Sequence, residues 1–209
     1  MSVVVAIKDG GKIYLGSDSQ VTRGGTRTTL RNPNNYKLWK VIGVDNCLMG
    51  HVGMLRDANI VRLMDRLVTE YSVYKNYIDY EYVVKEIVPA IVNELKTYGM
   101  VKDDKFIDML DSEFIFAFKD QLYVIGRDRS VIEVNDYVAI GSGEDQAVGS
   151  LLSTEGQDPK ERIVKAIKAS AVCDIYVDYP IILTDTETTE FEIVTEKSEN
   201  KYLHKEVNE

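Results

Sequence analysis

Ser2-Val3-Val4-Val5-Ala6-Ile7-Lys8-Asp9-Gly10-Gly11-Lys12-Ile13-Tyr14-Leu15-Gly16-Ser17-Asp18 is the stretch that decides how the rest of the chain is read. Val3 to Ile7 is apolar and largely β-branched, as a buried strand is. Asp9-Gly10-Gly11 is a turn signal, and Lys12 to Gly16 reads as the returning strand of a hairpin. A serine thus stands where the first strand begins, and a carboxylate, Asp18, just after the second strand ends. That carboxylate can lie beside the strand start.

Beyond the hairpin, Asp18 to Asn35 is polar and contains Gly24-Gly25 and Asn32-Pro33, so it reads as a loop with short strand pieces. Tyr36 to Val44 and Cys47 to Val52 form a second hairpin around Asp45-Asn46. The period then changes to that of a helix, with Met54, Ala58, Val61, Met64 and Val68 on one face. A second helix is predicted from about Tyr80 to Tyr98. Pro89 should kink or break it, and Gly99 should stop it. Glu113 to Phe118, Gln121 to Ile125, Val131 to Val134 and Tyr137 to Ile140 read as strands joined by short turns. Two helices follow, one after Gly141-Ser142-Gly143 and one with Asp158 as N-cap and Pro159 at the first helical position. Ile181 to Thr195 is strand-like, and the acidic tail, about 196–209, is expected to fray. Strands, two helices, strands, two helices, strands: two facing antiparallel sheets with a helical pair on each outer side would bury every apolar face. The expected class is α+β, a four-layer αββα sandwich, and residues 1–209 read as one domain.

Composition narrows the chemistry. Lys plus Arg total 25 against 34 Asp plus Glu, a net charge of -9, which argues against nucleic acid and anionic membrane as partners. The cysteines, Cys47 and Cys173, lie in apolar stretches and read as core residues in a reducing, cytoplasmic compartment. His51 and His204 are the only histidines, so a metal site built on two or three imidazoles is not expected. His51 reads as a packed residue rather than a base. A hydrolase with so little histidine needs another proton acceptor. A free α-amine has a reference pKa near 7.7–8.0, close to ideal. An N-terminal Ser or Thr carries that amine and a hydroxyl nucleophile on one residue. Removal of Met1 would make Ser2 such a residue. Lys37, opening the next strand, would keep a nearby amine neutral by like-charge repulsion.

Six segments in this order resemble the proteasome β-subunit and HslV-like family of N-terminal nucleophile hydrolases. They are Ser2 to Gly10, Gly16-Ser17-Asp18-Ser19-Gln20-Val21-Thr22, and Asn35-Tyr36-Lys37-Leu38. After them come Gly50-His51-Val52-Gly53 with Asp57, Ala139-Ile140-Gly141-Ser142-Gly143, and Lys165-Ala166-Ile167 followed by Asp174-Ile175-Tyr176. The resemblance covers roughly residues 2–180. It implies the same αββα sandwich and a set of roles. Ser2 is nucleophile and base, Asp18 and Lys37 are the charged pair beside it, and the Gly53 N–H, with Gly50 nearby, forms an oxyanion hole. Ser142 and Asp174 orient the amine and a water. Apart from the resemblance, Val21 and Met49, with Gly50, are expected to line the substrate site, with plain core packing as the alternative for Val21 and Met49. No cofactor is required, though a monovalent or divalent cation on the carbonyls of Ala171, Asp174 and Val177 is implied. So are stacked rings of this chain, an ATP-dependent unfoldase and a peptide or unfolded-protein substrate.

Two departures stand out. The family nucleophile is Thr, and Ser2 lacks the methyl that restricts the rotamer. The family's Ser- or Thr-Gly after the acidic turn is Val177-Asp178. Two alternatives therefore stand beside the peptidase: a catalytically inactive, ring-forming structural subunit, and an amidase of the same class acting on small amides. The tyrosines Tyr71, Tyr74, Tyr77, Tyr80 and Tyr82 suit either helix-loop packing or a subunit contact.

Overall fold

The computed structural model describes residues 2–68, 78–99 and 109–195. Strand β1 (Val3–Asp9) turns at Gly10-Gly11 into β2 (Lys12–Ser17), both glycines having positive φ. The polar segment that follows holds a small hairpin of its own, β3 (Gln20–Arg23) and β4 (Thr26–Thr29), turning at Gly24-Gly25. Next come β5 (Leu38–Lys40), β6 (Cys47–Val52), helix α1 (Leu55–Val61) and helix α2 (Val88–Thr97). Strands β7 (Glu113–Phe118), β8 (Gln121–Ile125), β9 (Val131–Glu133) and β10 (Tyr137–Gly141) follow, then α3 (Glu144–Ser153), α4 (Pro159–Cys173), β11 (Ile181–Asp185) and β12 (Glu192–Val194).

The ten strands other than β3 and β4 form two antiparallel sheets with orders β10-β1-β2-β11-β12 and β5-β6-β7-β8-β9. Apolar clusters fill three layers. Val4, Ala6, Ile13 and Leu15 of the first sheet meet Leu38, Leu48, Ile115 and Leu122 of the second between the sheets. Val3, Val5 and Ile7 pack with Ala147, Leu151, Ile163 and Ile167 of α3 and α4. Met49, Phe114 and Phe116 pack with Ala58, Val61, Ile91 and Leu95 of α1 and α2. The continuous apolar run of β1 follows directly: β1 is an inner strand, covered by helices on one face and by the other sheet on the other. The αββα sandwich read from the sequence is the architecture found.

Several expected elements are shorter or divided. Tyr36 to Val44 contributes only the three residues of β5. Helix α1 ends at Val61 rather than near Val68. There, Arg62 donates to the Tyr36 carbonyl and lies over the Trp39 ring, while Leu63 and Met64 close i→i+3 bonds onto Ile60 and Val61. Pro89 lies in the first turn of α2, preceded by a helical turn Tyr80–Tyr82 and a π-helical turn Val83–Ile87. A proline ring clashes with the carbonyl four residues earlier, here Lys85, and the wider π turn moves that carbonyl aside. Ile181 to Thr195 is two antiparallel strands, not one. Asp158 caps α4 as read, accepting from Glu161 N at 3.0 Å. Tyr71, Tyr74, Tyr77 and the tail 196–209 lie outside the described residues.

Candidate active site

The β1–β2 hairpin fixes the start of the chain. Val4 pairs with Ser17, so Asp18, one residue on, comes level with Val3. Asp18 Oδ1 accepts from Val3 N at 3.0 Å, and Asp18 N donates to Val3 O at 3.3 Å. The side chain of Lys37, entering β5, reaches the same carboxylate, with Nζ 2.7 Å from Asp18 Oδ1. Lys37 also donates to the Gln20 carbonyl at 2.6 Å. The pair is sealed from water: Asp18 is 0% and Lys37 4% exposed. Burial pushes the Lys37 ammonium below its ordinary pKa, and Asp18 works against that push.

The other flank of Ser2 comes from β10 and α4. Gly141 ends this edge strand with φ 103°, and a Cβ there would stand 2.3 Å from Ser2 O and 3.0 Å from Val52 Cγ1. Only glycine fits between these two strands, and the following residue, Ser142, is thereby brought to Ser2. Ser142 Oγ accepts from Ser2 N at 3.1 Å and donates to Asp174 Oδ2 at 2.5 Å. Asp174 caps the end of α4, and its other oxygen accepts from Tyr176 N at 2.9 Å. Ser2 itself is 5% exposed.

Val52, which faces Gly141, is followed by the turn Gly53-Met54 into α1. Gly53 has φ 121°, and a Cβ on it would stand 2.5 Å from the Asp111 carbonyl. The turn is glycine-only for two reasons, its conformation and the backbone pressed against it. Asp18 with Lys37 therefore meets the chain at Val3, Ser142 with Asp174 meets it at Ser2, and Gly53 lies one residue beyond the Val52 that faces Gly141.

Other expected positions fall elsewhere. Met49 is 0% exposed and sits in the core between the second sheet and its helices, so it lines no open substrate site. Gly50 is a close-approach residue: a Cβ there would stand 2.8 Å from Val4 Cγ1, so its small size lets the two sheets meet. Val21 is half-buried on β3. Among the described residues no group of three or more His, Cys, Asp or Glu side chains could hold a metal. The carbonyl set of Ala171, Asp174 and Val177 is a different kind of donor. The Asp174 carbonyl already accepts from Val177 N at 3.1 Å and keeps a second lone pair, so neutral carbonyls of this turn fit a weakly held cation.

The departure at Val177-Asp178 has a local counterpart. Asp178 O accepts from Ser19 N at 3.1 Å, and its carboxylate accepts from Arg27 at 2.8 Å. Arg27 donates also to Gln20 Oε1, and Gln20 Nε2 donates to Thr22 Oγ1 and to the Ile175 carbonyl. Gln20 N donates to Asp18 Oδ2 at 2.9 Å. One buried glutamine thus ties the charged pair, the β3–β4 hairpin and the turn after α4 together. Sequence reading passed over Gln20, Arg27 and Ser112. Each is an ordinary polar residue in a turn-rich segment, and only the partner brought from elsewhere in the chain distinguishes it.

An arrangement of this kind can activate a hydroxyl on the second residue and stabilise an anion beside Gly53. The sequence pattern of the proteasome subunit family matches residues 2–172. The ATP-dependent protease subunit HslV of a Sulfurihydrogenibium species is 24% identical over 190 residues, covering 89% of this chain and 97% of that one. The BPH structure of Thiobacillus denitrificans superposes with a TM-score of 0.68 at 17% identity, covering 88% of this chain and 96% of that one. HslV from Trypanosoma brucei gives 0.62 at 19% identity, covering 88% and 98%. The family match spans most of the chain, and the chain belongs to the proteasome subunit family.

Proposed function

We propose that this protein is a peptidase of the HslV kind that uses Ser2, exposed by removal of Met1, as its nucleophile. The observation that carries the reading is that two sets of partners hold adjacent amides at the start of β1: Asp18 with Lys37 at Val3 N, and Ser142 with Asp174 at Ser2 N. In the chain that still carries Met1, the Ser2 nitrogen is a peptide amide and cannot accept a proton. Once Met1 is cleaved it becomes an amine. That amine takes the Ser2 Oγ proton as Oγ attacks the peptide carbonyl, and the Gly53 N–H receives the oxyanion. The proton passes to the departing amine of the substrate, leaving an ester on Ser2. Water then attacks the ester, its proton passing to the Ser2 α-amine and from there to Ser2 Oγ as the acyl–Oγ bond breaks and the acid product leaves. Lys37 keeps the amine neutral, and Ser142 orients it.

Self-compartmentalising rings with an ATP-driven unfoldase are part of the same reading, supported by the HslV relatives. Native mass spectrometry is expected to find a closed oligomer; a monomer at all concentrations overturns the ring. A monovalent or divalent cation on the carbonyls of Ala171, Asp174 and Val177 belongs to the reading as well; chelation is expected to lower the melting temperature for a divalent ion, and replacement of sodium and potassium by a bulky organic cation for a monovalent one. Among the described residues no helix is long and apolar enough to cross a membrane.

The test is intact-mass determination followed by a fluorogenic peptide panel. Loss of Met1 with cleavage by wild type and none by Ser2→Ala is the expected result. Retained Met1 would favour the structural, inactive subunit. Cleavage of small amides but not peptides would favour the amidase.

A further inference from the structure

Three side chains that the mechanism above leaves unused surround the turn after β6. Ser112, ahead of β7, is 0% exposed, and Asp57 and His51 are 1% and 3% exposed. Ser112 Oγ lies 2.6 Å from Asp57 Oδ2, 3.1 Å from Met54 N and 3.3 Å from His51 Nε2. His51 Nε2 lies 2.9 Å from the Met54 carbonyl oxygen.

The proton positions follow from counting. A carbonyl oxygen only accepts, so His51 Nε2 must carry the hydrogen that meets Met54 O. A serine hydroxyl has one proton, and the short contact assigns it to Asp57. Ser112 Oγ is then left to accept from Met54 N–H, with His51 Nε2–H as a weaker second donor. Both backbone groups of Met54 are thereby held, its N–H by Ser112 and its C=O by His51. The His51 ring is itself wedged, with its centroid 5.6 Å from Phe114 and 6.5 Å from Trp39. Its backbone N donates to Lys37 O at 3.0 Å, so one residue spans the charged pair and the turn. Ser112 Cα also presses on Gly53, 2.7 Å from where a Cβ would be.

We propose that Ser112, keyed by Asp57, and His51, as an Nε2–H donor, are positioning residues that clamp Met54 and so aim the Gly53 N–H at the oxyanion. The Met54 N–H belongs to the peptide after Gly53, so holding Met54 fixes the far side of the glycine while β6 holds Val52 on the near side, and the Gly53 N–H between them cannot turn. A donor helps the transition state only if it is already aimed, because reorienting it during reaction costs part of what it gives. Three buried side chains around one backbone unit are the means by which a glycine turn can be both flexible in type and fixed in place. This inference rests on Gly53 serving the oxyanion.

The test is Ser112→Ala in the full chain, with two readouts. Steady-state cleavage of a fluorogenic peptide is expected to lose about tenfold or more in kcat with KM nearly unchanged, since an aimed oxyanion donor acts on the transition state. Ser112→Thr, which keeps the hydroxyl, is expected to restore most of kcat. Amide hydrogen exchange localised to Met54 is expected to accelerate in Ser112→Ala and not in Ser112→Thr. Unchanged kcat and unchanged exchange in Ser112→Ala would overturn the clamp, as would an effect confined to KM. Should Ser112→Ala fail to fold, Asp57→Asn carries the same two measurements, with a smaller expected loss because the amide oxygen still accepts from Ser112. If wild type cleaves nothing, the peptidase reading fails, and Met54 exchange alone still decides the clamp.

Discussion

Asp18 and Lys37 form an ion pair that water does not reach. Such a pair adds little net stability when intact, yet removing one partner strands the other charge in the interior. Asp18→Asn is therefore expected to cost about 3–5 kcal/mol in denaturant unfolding, and to abolish cleavage. A change under about 1 kcal/mol would show that Lys37 finds another anion or reaches solvent. His51 gives a second outcome at this scale. Burial drops its pKa to about 3, so the unfolded chain takes up a proton near pH 6.5 that the native state refuses until far lower pH. The unfolded state binds more protons between these values, so this contribution is intact above pH 6.5 and is lost as pH falls toward 3. Asp57 opposes it, since burial raises its pKa and the native state there holds the extra proton. Urea unfolding from pH 7 to 4.5 is expected to show a slope of up to about 1.4 kcal/mol per pH unit from His51, and His51→Phe should remove that part. An unaltered slope in His51→Phe would reject the assignment.

Helices and strands meet where small residues leave room. Gly16 in β2 is one such place: a Cβ there would stand 2.2 Å from Ile163 Cγ2 and 3.1 Å from Ile167 Cδ1. Helix α4 therefore lies against β2 only because the strand has no side chain at that position. Since α4 carries Asp174 at its end, the depth of this contact sets how Asp174 meets Ser142. Gly16→Ala is expected to lose about 1–3 kcal/mol by thermal or denaturant unfolding, the usual range for overpacking. Adding Ile163→Ala, which removes the clashing methyl, should recover part of the loss; additive losses would mean the strain is relieved elsewhere. Much at this scale could be read directly from the residues. Apolar runs between turn signals placed β1, β2, β6, β7, β8 and β10, the helical signals placed α3 and α4, and the Asp158-Pro159 cap was legible. Helix α1 was read too long because Met64 and Val68 are buried and keep the helical spacing, although the backbone past Arg62 does not. The β3–β4 hairpin was half-visible, since strands rich in Thr and Arg carry no apolar alternation.

At the scale of the whole molecule, each sheet contributes one face to a shared inter-sheet layer and the other to its own helices. Neither sheet keeps a complete core if the other unfolds. The single tryptophan, Trp39, reports on the second sheet, being buried in the layer between it and α1 and α2. Far-ultraviolet circular dichroism and Trp39 fluorescence are expected to give coincident unfolding midpoints. Separated midpoints would show that the two layers melt independently. The candidate site also belongs to this scale, because its residues come from β1, the segments after β2 and before β5, the β10–α3 turn and the end of α4. Ser2, Asp18, Lys37, Gly53, Ser142 and Asp174 were legible as types at recognisable places in the order of elements. Gln20, Arg27, Asp178 and Ser112 were not, because a polar side chain in a turn looks the same whether it faces solvent or a partner a hundred residues away.

The amino-acid order by itself determined the layers, the hairpin that sets Asp18 beside the chain start, and the glycines that sharp turns need. These are local matters of side-chain period and backbone freedom, and neighbours along the chain settle them. Only the tertiary structure decided which polar groups meet: that Ser142 stands on Ser2, that Arg27 engages Asp178, that Met49 is core, and that His51 and Ser112 grip Met54. Hydrogen bonds and ion pairs act over about 3 Å, and such distances between remote residues exist only once the sheets and helices have packed.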